Sequence, residues 1–174
     1  MDNRIIAKDG NVMLRELKDS DLHELSEYAN NEKVSVNLRD AFPTPYTFEN
    51  AKSFKEMVDS QNPKTFFAIE YQGKYVGNIS LSIGNDVYKK SAEIGYFIGE
   101  PFWNKGIATK AVNLMTSWGF NNLNIVRIHS GVFDFNKSSQ RVLEKCGYSK
   151  EGIFLKSICK NGKIYDEVRY AKTI

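Results

Sequence analysis

Alternating apolar and polar residues from Val12 to Leu17 predict a first strand. Asp19 or Ser20 then caps a helix running to about Asn30, with Leu22, Leu25 and Tyr28/Ala29 on one face. Thr47 caps a second helix, whose Ala51, Phe54, Met57 and Val58 follow the 3.6-residue period. Pro63 closes that region. Phe66–Tyr71 and Tyr75–Ile83 read as strands joined by a tight turn at Gln72-Gly73-Lys74, and Ser91–Ile98 as the next strand. A helix from about Gly106 to Phe120 turns Ile107, Ala111, Leu114, Met115 and Trp118 to the core. Ile125–Val132 is strand-like, and Ser138–Lys145 is a short helix stopped by Gly147. Tyr148–Cys159 and Lys163–Ala171 are two last strands, with Asn161-Gly162 as a hairpin turn between them. The order is strand, two helices, three strands, helix, strand, helix, two strands. It predicts an α/β (α+β) fold with a mixed, mainly antiparallel sheet of about seven strands flanked by about four helices.

The 174 residues suit one domain, residues 1–174, and a chain of that size buries roughly 70% of its unfolded surface. With 24 basic and 21 acidic residues the net charge is +3, too weak for the dense basic face of a nucleic-acid binder. No run of 18 apolar residues marks a membrane span. The start, Met1-Asp2-Asn3-Arg4-Ile5, has no apolar core of a secretion signal. Cys146 and Cys159 therefore read as reduced thiols of a cytoplasmic protein. The segment Asp40–Tyr46, with two prolines and two aromatics, reads as an ordered loop between helices.

The informative stretch is Glu93-Ile94-Gly95-Tyr96-Phe97-Ile98-Gly99-Glu100-Pro101-Phe102-Trp103-Asn104-Lys105-Gly106-Ile107-Ala108-Thr109. It is a strand, a loop, then a helix start with small residues at 106 and 108. Gly106 lets a ligand approach the backbone, and Ala108 keeps the next turn thin. Free N–H groups and the helix dipole then favour an anion. A Walker loop would need Lys-Ser/Thr after its second glycine, but Ile107 follows Gly106. The three-glycine dinucleotide fingerprint is absent too.

The segment resembles motif A of the GNAT superfamily of acyl-CoA-dependent N-acetyltransferases, a strand followed by Gln/Arg-x-x-Gly-x-Gly/Ala. Here it reads Trp103-Asn104-Lys105-Gly106-Ile107-Ala108, with Trp103 in the first position. That departure is similar to the branch of ribosomal-protein (alanine/serine) N-terminal acetyltransferases. Asn136-Lys137-Ser138-Ser139…Glu144-Lys145-Cys146-Gly147-Tyr148 resembles the family's Asn-x-x-Ser/Ala…Glu-Lys-x-Gly-Phe segment.

The resemblance implies acetyl-CoA as co-substrate and no metal. The strands on either side of the motif A helix would splay. The cofactor arm would pair with backbone near Phe97, Ile98 and Gly99. The pyrophosphate would rest on amides from Trp103 through Asn104, Lys105, Gly106 and Ala108 to Thr109, and Asn136 would touch the arm. Transfer would be direct, so neither cysteine acts as nucleophile, and Cys146 reads as packing. The amine must lose a proton. At pH 7 an α-amine is roughly 10% neutral and a lysine-type amine about 0.04%, a burden of roughly 4.6 kcal/mol. Glu100 is the expected base, with Glu93 as its rival. Ser139 is the expected acid, with a plain first-turn role behind a Ser138 cap as its alternative. The tyrosine many relatives use seven residues after the Asn is Leu143 here. His23 is expected to be exposed, and His129 to lie within a strand.

The expected partner is an amine substrate: a ribosomal or other protein N-terminus, or a small amine such as a polyamine or aminoglycoside. Arg39, Phe42 and Tyr46 are expected to bind it. A non-catalytic CoA-binding module on the same fold is the alternative. The family's dimerisation through late strands extends the expectation to a homodimer.

Overall fold

The computed structural model describes residues 4–174. Met1, Asp2 and Asn3 lie outside that range, and with them most of the segment read for a secretion signal. Eight strands form one sheet: β1 (Ile5–Asp9), β2 (Val12–Arg15), β3 (Phe66–Tyr71), β4 (Lys74–Ile83), β5 (Ser91–Ile98), β6 (Arg127–Phe133), β7 (Ser149–Lys160) and β8 (Lys163–Thr173). Their spatial order is β1-β2-β3-β4-β5-β6-β8-β7. All neighbours are antiparallel except β5 and β6, which run parallel. The tight turns behave as the sequence suggests. Gln72 and Gly73 take φ of 52° and 78°, and Asn161 and Gly162 take 51° and 74°. Paired positive φ values suit the twist of a two-residue hairpin.

Five helices cover the sheet: α1 (Leu22–Ala29), α2 (Glu32–Ser35), α3 (Phe48–Asp59), α4 (Ile107–Asn122) and α5 (Lys137–Lys145). One face of the sheet packs Leu14, Ile69, Leu81, Ile94 and Ile128 against Ile107, Ala111 and Met115 of α4 and Leu143 of α5. The other packs Leu17, Ala68 and Tyr75 against Leu22, Leu25 and Ala29 of α1 and Ala51 of α3. Thr47 caps α3 by accepting from the Asn50 amide at 3.2 Å. Gly147 ends α5 at φ 78°, its N–H on the Glu144 carbonyl and the Tyr148 N–H on that of Leu143.

The expected fold, with about seven strands and about four helices, is close to the eight and five found, and two residue-level expectations, Met57 and the α5 cap, are corrected. Strand β1 adds an eighth to the sheet. Its turn is Gly10-Asn11, with Gly10 at φ 57°, but its largely exposed edge residues carry little hydrophobic pattern. Helix α2 follows α1 because Asn31 caps a new turn, its side chain accepting from the Lys33 amide at 2.9 Å. Met57 is 41% exposed rather than in the core. Asn136, not Ser138, caps α5, accepting from the Ser139 amide at 3.1 Å. Among the described residues, no helix is long and apolar enough to cross a membrane.

Candidate active site

The site grows from one break in the sheet. β5 and β6 pair only from Ser91↔Arg127 to Glu93↔His129. β5 then continues to Ile98 and β6 to Phe133 without partnering each other. The strands splay, and a cleft of about 1480 Å³ opens there. Strand alternation decides what faces the gap. The Gly99 N–H bonds the Val76 carbonyl at 2.8 Å, and the Gly84 N–H bonds the Ser91 carbonyl at 2.9 Å. Odd-numbered residues of β5 thus turn their backbone groups to β4, and even-numbered ones turn theirs to the gap. Of the three residues expected to pair with an extended ligand, Ile98 faces the gap. Phe97 and Gly99 turn their backbone groups to β4, and Tyr96, not named from the sequence, also faces the gap.

At the open end of the gap the chain turns through Glu100–Phe102 and enters α4. The Trp103 indole N–H donates to the Ile98 carbonyl at 2.7 Å and ties the loop to the strand. Asn104 and Gly106 both take left-handed φ, 61° and 73°. A Cβ added at Gly106 would meet nothing within 4 Å, so the space before the helix is open. Among the described residues, no backbone carbonyl accepts from the amides of Asn104, Lys105, Gly106, Ile107, Ala108 or Thr109. Six free donors in one turn, at the positive end of a 16-residue helix, suit an anion such as a phosphate group. Lys105, Lys137, Arg141 and Lys145 add positive charge to the same cleft.

α5 forms the opposite wall. Asn136 is bound to its own helix, as the cap above. Ser139, in the first turn, shares a hydrogen bond with the Tyr96 hydroxyl at 2.9 Å. Burial pushes the Tyr96 phenol up to about 12, against the lowering pull of that hydrogen bond. Cys146 is buried, with its thiol on the Thr109 carbonyl at 3.3 Å, which bears out a packing role.

Beyond the gap the cleft widens under the loop that joins α2 to α3. Its floor is a patch of β4 and β5, where Ser82 pairs with Glu93 and Ser80 with Gly95. Phe42 and Tyr46 stack at 4.9 Å and Phe42 meets Phe97 edge-on at 6.1 Å, so this loop packs on its own aromatics while lining the cleft. Arg39 pairs with Glu93 across the mouth. The Lys160 ammonium reaches Asp40 at 2.6 Å and ties the final hairpin to the same loop.

Glu100 does not join this group. Its carboxylate bonds the Lys33 ammonium and, at 2.7 Å, the Asn31 side-chain amide, and it does not line the cleft. The Lys33 and Asn31 hydrogen bonds draw its pKa below the usual carboxylate range. Glu100, expected as the base, thus links α2 to the loop after β5 in this structure. Sequence spacing could not reveal this, because both partners lie nearly seventy positions away. His23 is exposed and stacks on Phe48 at 4.7 Å. His129 is half-buried on β6, outside the cleft lining.

Four likenesses to known proteins accompany this geometry. A model of the acetyltransferase (GNAT) domain matches residues 11–149. The spermidine N(1)-acetyltransferase of Escherichia coli (strain K12) is 28% identical over 160 residues, 91% of this chain and 83% of that protein. The microcin C7 self-immunity acetyltransferase MccE, solved with acetyl-CoA and AMP, is 29% identical with a TM-score of 0.80, over 95% of this chain and 94% of that one. RimL, a ribosomal L7/L12 α-N-protein acetyltransferase solved with coenzyme A, has a TM-score of 0.85 over 98% of both chains, at 20% identity. That last likeness is one of fold.

Proposed function

The chain belongs to the acetyltransferase (GNAT) family, and from that premise we propose that it moves the acetyl group of acetyl-CoA onto a primary amine by direct attack in a ternary complex, with the α-amine of a peptide or protein N-terminus as acceptor. The observation that carries the reading is the gap between β5 and β6, which ends on six unpaired amides around Gly106. A diphosphate on those amides sends its arm along the edge of Ile98, Tyr96 and Ile94. The thioester then comes to rest where the cleft widens over Gly95. No side chain at Gly95 blocks the approach, since a Cβ there would meet only the Ser80 hydroxyl, at 3.7 Å.

Charge selects the acceptor. Glu93 is the only carboxylate lining the cleft among the described residues, while Lys33 and Arg39 supply two cations on the acceptor side. A polyamine carries several positive charges and meets net repulsion there. A peptide N-terminus presents one amine, and its carbonyls or acidic side chains suit Lys33 and Arg39. Phe42 and Tyr46 provide apolar walls for the first side chain. An α-amine, already roughly 10% neutral at pH 7, also asks less of a base.

Glu93 takes the base role in this reading. Its carboxylate lines the floor, and the incoming ammonium competes with Arg39 for it. Titration calorimetry with acetyl-CoA, against ATP and NAD as controls, tests the donor. Micromolar binding of acetyl-CoA alone is expected, and equal binding of all three would sink the reading. Thiol release with serine- and alanine-terminated peptides against spermidine tests the acceptor, with the peptides expected to be faster.

A further inference from the structure

The Tyr96–Ser139 contact joins the two walls of the gap: Tyr96 stands on β5, and Ser139 on the helix that follows β6. Both line the cleft. The serine backbone N–H is already used, donated to the Asn136 side chain at 3.1 Å. The donor left to Ser139 is therefore its hydroxyl, at the positive end of a helix of nine residues.

Two hydroxyls that share one hydrogen bond keep one proton to spend elsewhere. A phenol is the stronger donor of the pair, and an alkyl hydroxyl the better acceptor, because the phenolic lone pair is drawn into its ring. The tyrosine proton thus goes to Ser139, and the serine proton points away, into the cleft.

We propose that Tyr96 is a positioning residue: by donating to Ser139 Oγ it aims the serine O–H at the sulfur of the bound thioester, which leaves as a thiolate held by that hydrogen bond. The proposal rests on acetyl-CoA being the donor. In the step, the amine nitrogen forms its bond to the acetyl carbon and the carbon–sulfur bond breaks. The electron pair leaves on sulfur. The nitrogen gives up one proton to the base and then to solvent, and solvent returns a proton to the thiolate according to pH.

No proton leaves the pair. A thiol has a pKa near 8.5, whereas the Tyr96 phenol sits at about 12. Full transfer from tyrosine to thiolate is uphill by more than about a thousandfold, and from serine by more still. Ser139 and Tyr96 therefore stabilise the departing charge as hydrogen-bond donors and do not act as acids. This revises the acid expected of Ser139 and adds a residue that no motif spacing indicates.

The test compares Tyr96→Phe, Ser139→Ala and the double variant. Turnover is read as thiol release from acetyl-CoA, with the best acceptor among water, spermidine and serine- or alanine-terminated peptides. Loss of a hydrogen bond to a charged sulfur lowers kcat about 10- to 100-fold for Ser139→Ala. Loss of the neutral bond behind it lowers kcat about 3- to 10-fold for Tyr96→Phe, with KM and calorimetric Kd for acetyl-CoA unchanged. Because Tyr96 acts through Ser139, the double variant stays within about twofold of Ser139→Ala. Thermal melting confirms that each variant is folded, and the phenylalanine ring keeps the core filled. Wild-type kcat in Tyr96→Phe overturns the proposal. So does a Tyr96→Phe loss that persists undiminished in the Ser139→Ala background, or one confined to KM. Wild-type protein that fails to bind acetyl-CoA overturns the donor reading, and this proposal with it.

Discussion

The Trp103 indole N–H and the Ile98 carbonyl meet at 2.7 Å, so the last gap-facing carbonyl of β5 is held by the loop that leads into α4. The bond couples the two surfaces that the proposed acetyl-CoA site uses, the strand edge and the free amides before α4. Trp103→Phe removes the donor and keeps an aromatic ring. At about 1 kcal/mol for one such bond, acetyl-CoA binding weakens roughly fivefold. Calorimetry reads this directly, and unchanged affinity would mean the free amides keep their arrangement without the tie.

At Gly106, two effects of a side chain separate cleanly. The residue has φ of 73°, and a Cβ would project into open space. Gly106→Val strains the backbone by about 1–2 kcal/mol, a fall in melting temperature of roughly 2–8 °C. It also fills the room a diphosphate needs, so acetyl-CoA binding is lost in a folded protein. Circular dichroism and calorimetry on the same sample check both halves. A folded variant with normal affinity would refute the proposed acetyl-CoA site.

In the proposed reading Glu93, which lines the cleft, is the base, and Glu100, which does not, is not. Glu93→Gln lowers kcat by about a hundredfold, the lower end of what a positioned base contributes, and leaves the acetyl-CoA Kd alone. Glu100→Gln loosens the link to Lys33 and Asn31, with turnover within about threefold of the parent. The reverse ranking in steady-state assays would restore Glu100 as base.

Arg15 is buried between two carboxylates, with 3% of its side chain exposed. It donates to both oxygens of Asp21, at 2.6 and 2.9 Å, and to Glu70 at 2.6 Å. Arg15→Ala strands two buried charges and costs about 3–5 kcal/mol. Urea unfolding should show it as a lower midpoint with little change in slope.

His129 makes stability depend on pH. Burial lowers its pKa below 6.5, while Glu93 and Glu151 pull it up and Arg169 and Arg127 push it down. The folded state therefore binds its proton less readily than the unfolded chain does. Stability is fully present above about pH 6.5 and is lost as pH falls through the lower folded-state value. In His129→Leu that loss is absent, so the melting-temperature difference from wild type changes between pH 7.5 and 5. Parallel curves for the two proteins would show that His129 titrates alike in both states.

Local signals carried most of the fold. The two-residue turns at Gln72-Gly73 and Asn161-Gly162, the Thr47 cap and the Gly147 stop are all set by residues within a few positions of one another. So is the strand–loop–helix around Gly106, whose open helix start follows from short-range backbone preferences. Pairings across long sequence gaps had no such signal. Tyr96 reaches Ser139, Arg39 reaches Glu93 and Lys33 reaches Glu100 only because the fold sets β5 beside β6 and brings the segment from α2 to Arg39 against β5 and the loop after it. The sequence by itself therefore determined most of the elements, their order and the open helix start at Gly106, since these rest on chain-local sterics and hydrogen bonding. The tertiary structure alone decided which carboxylate enters the cleft and which hydroxyls meet. A side chain's partner depends on strand register and splay, and these emerge only when the whole sheet packs.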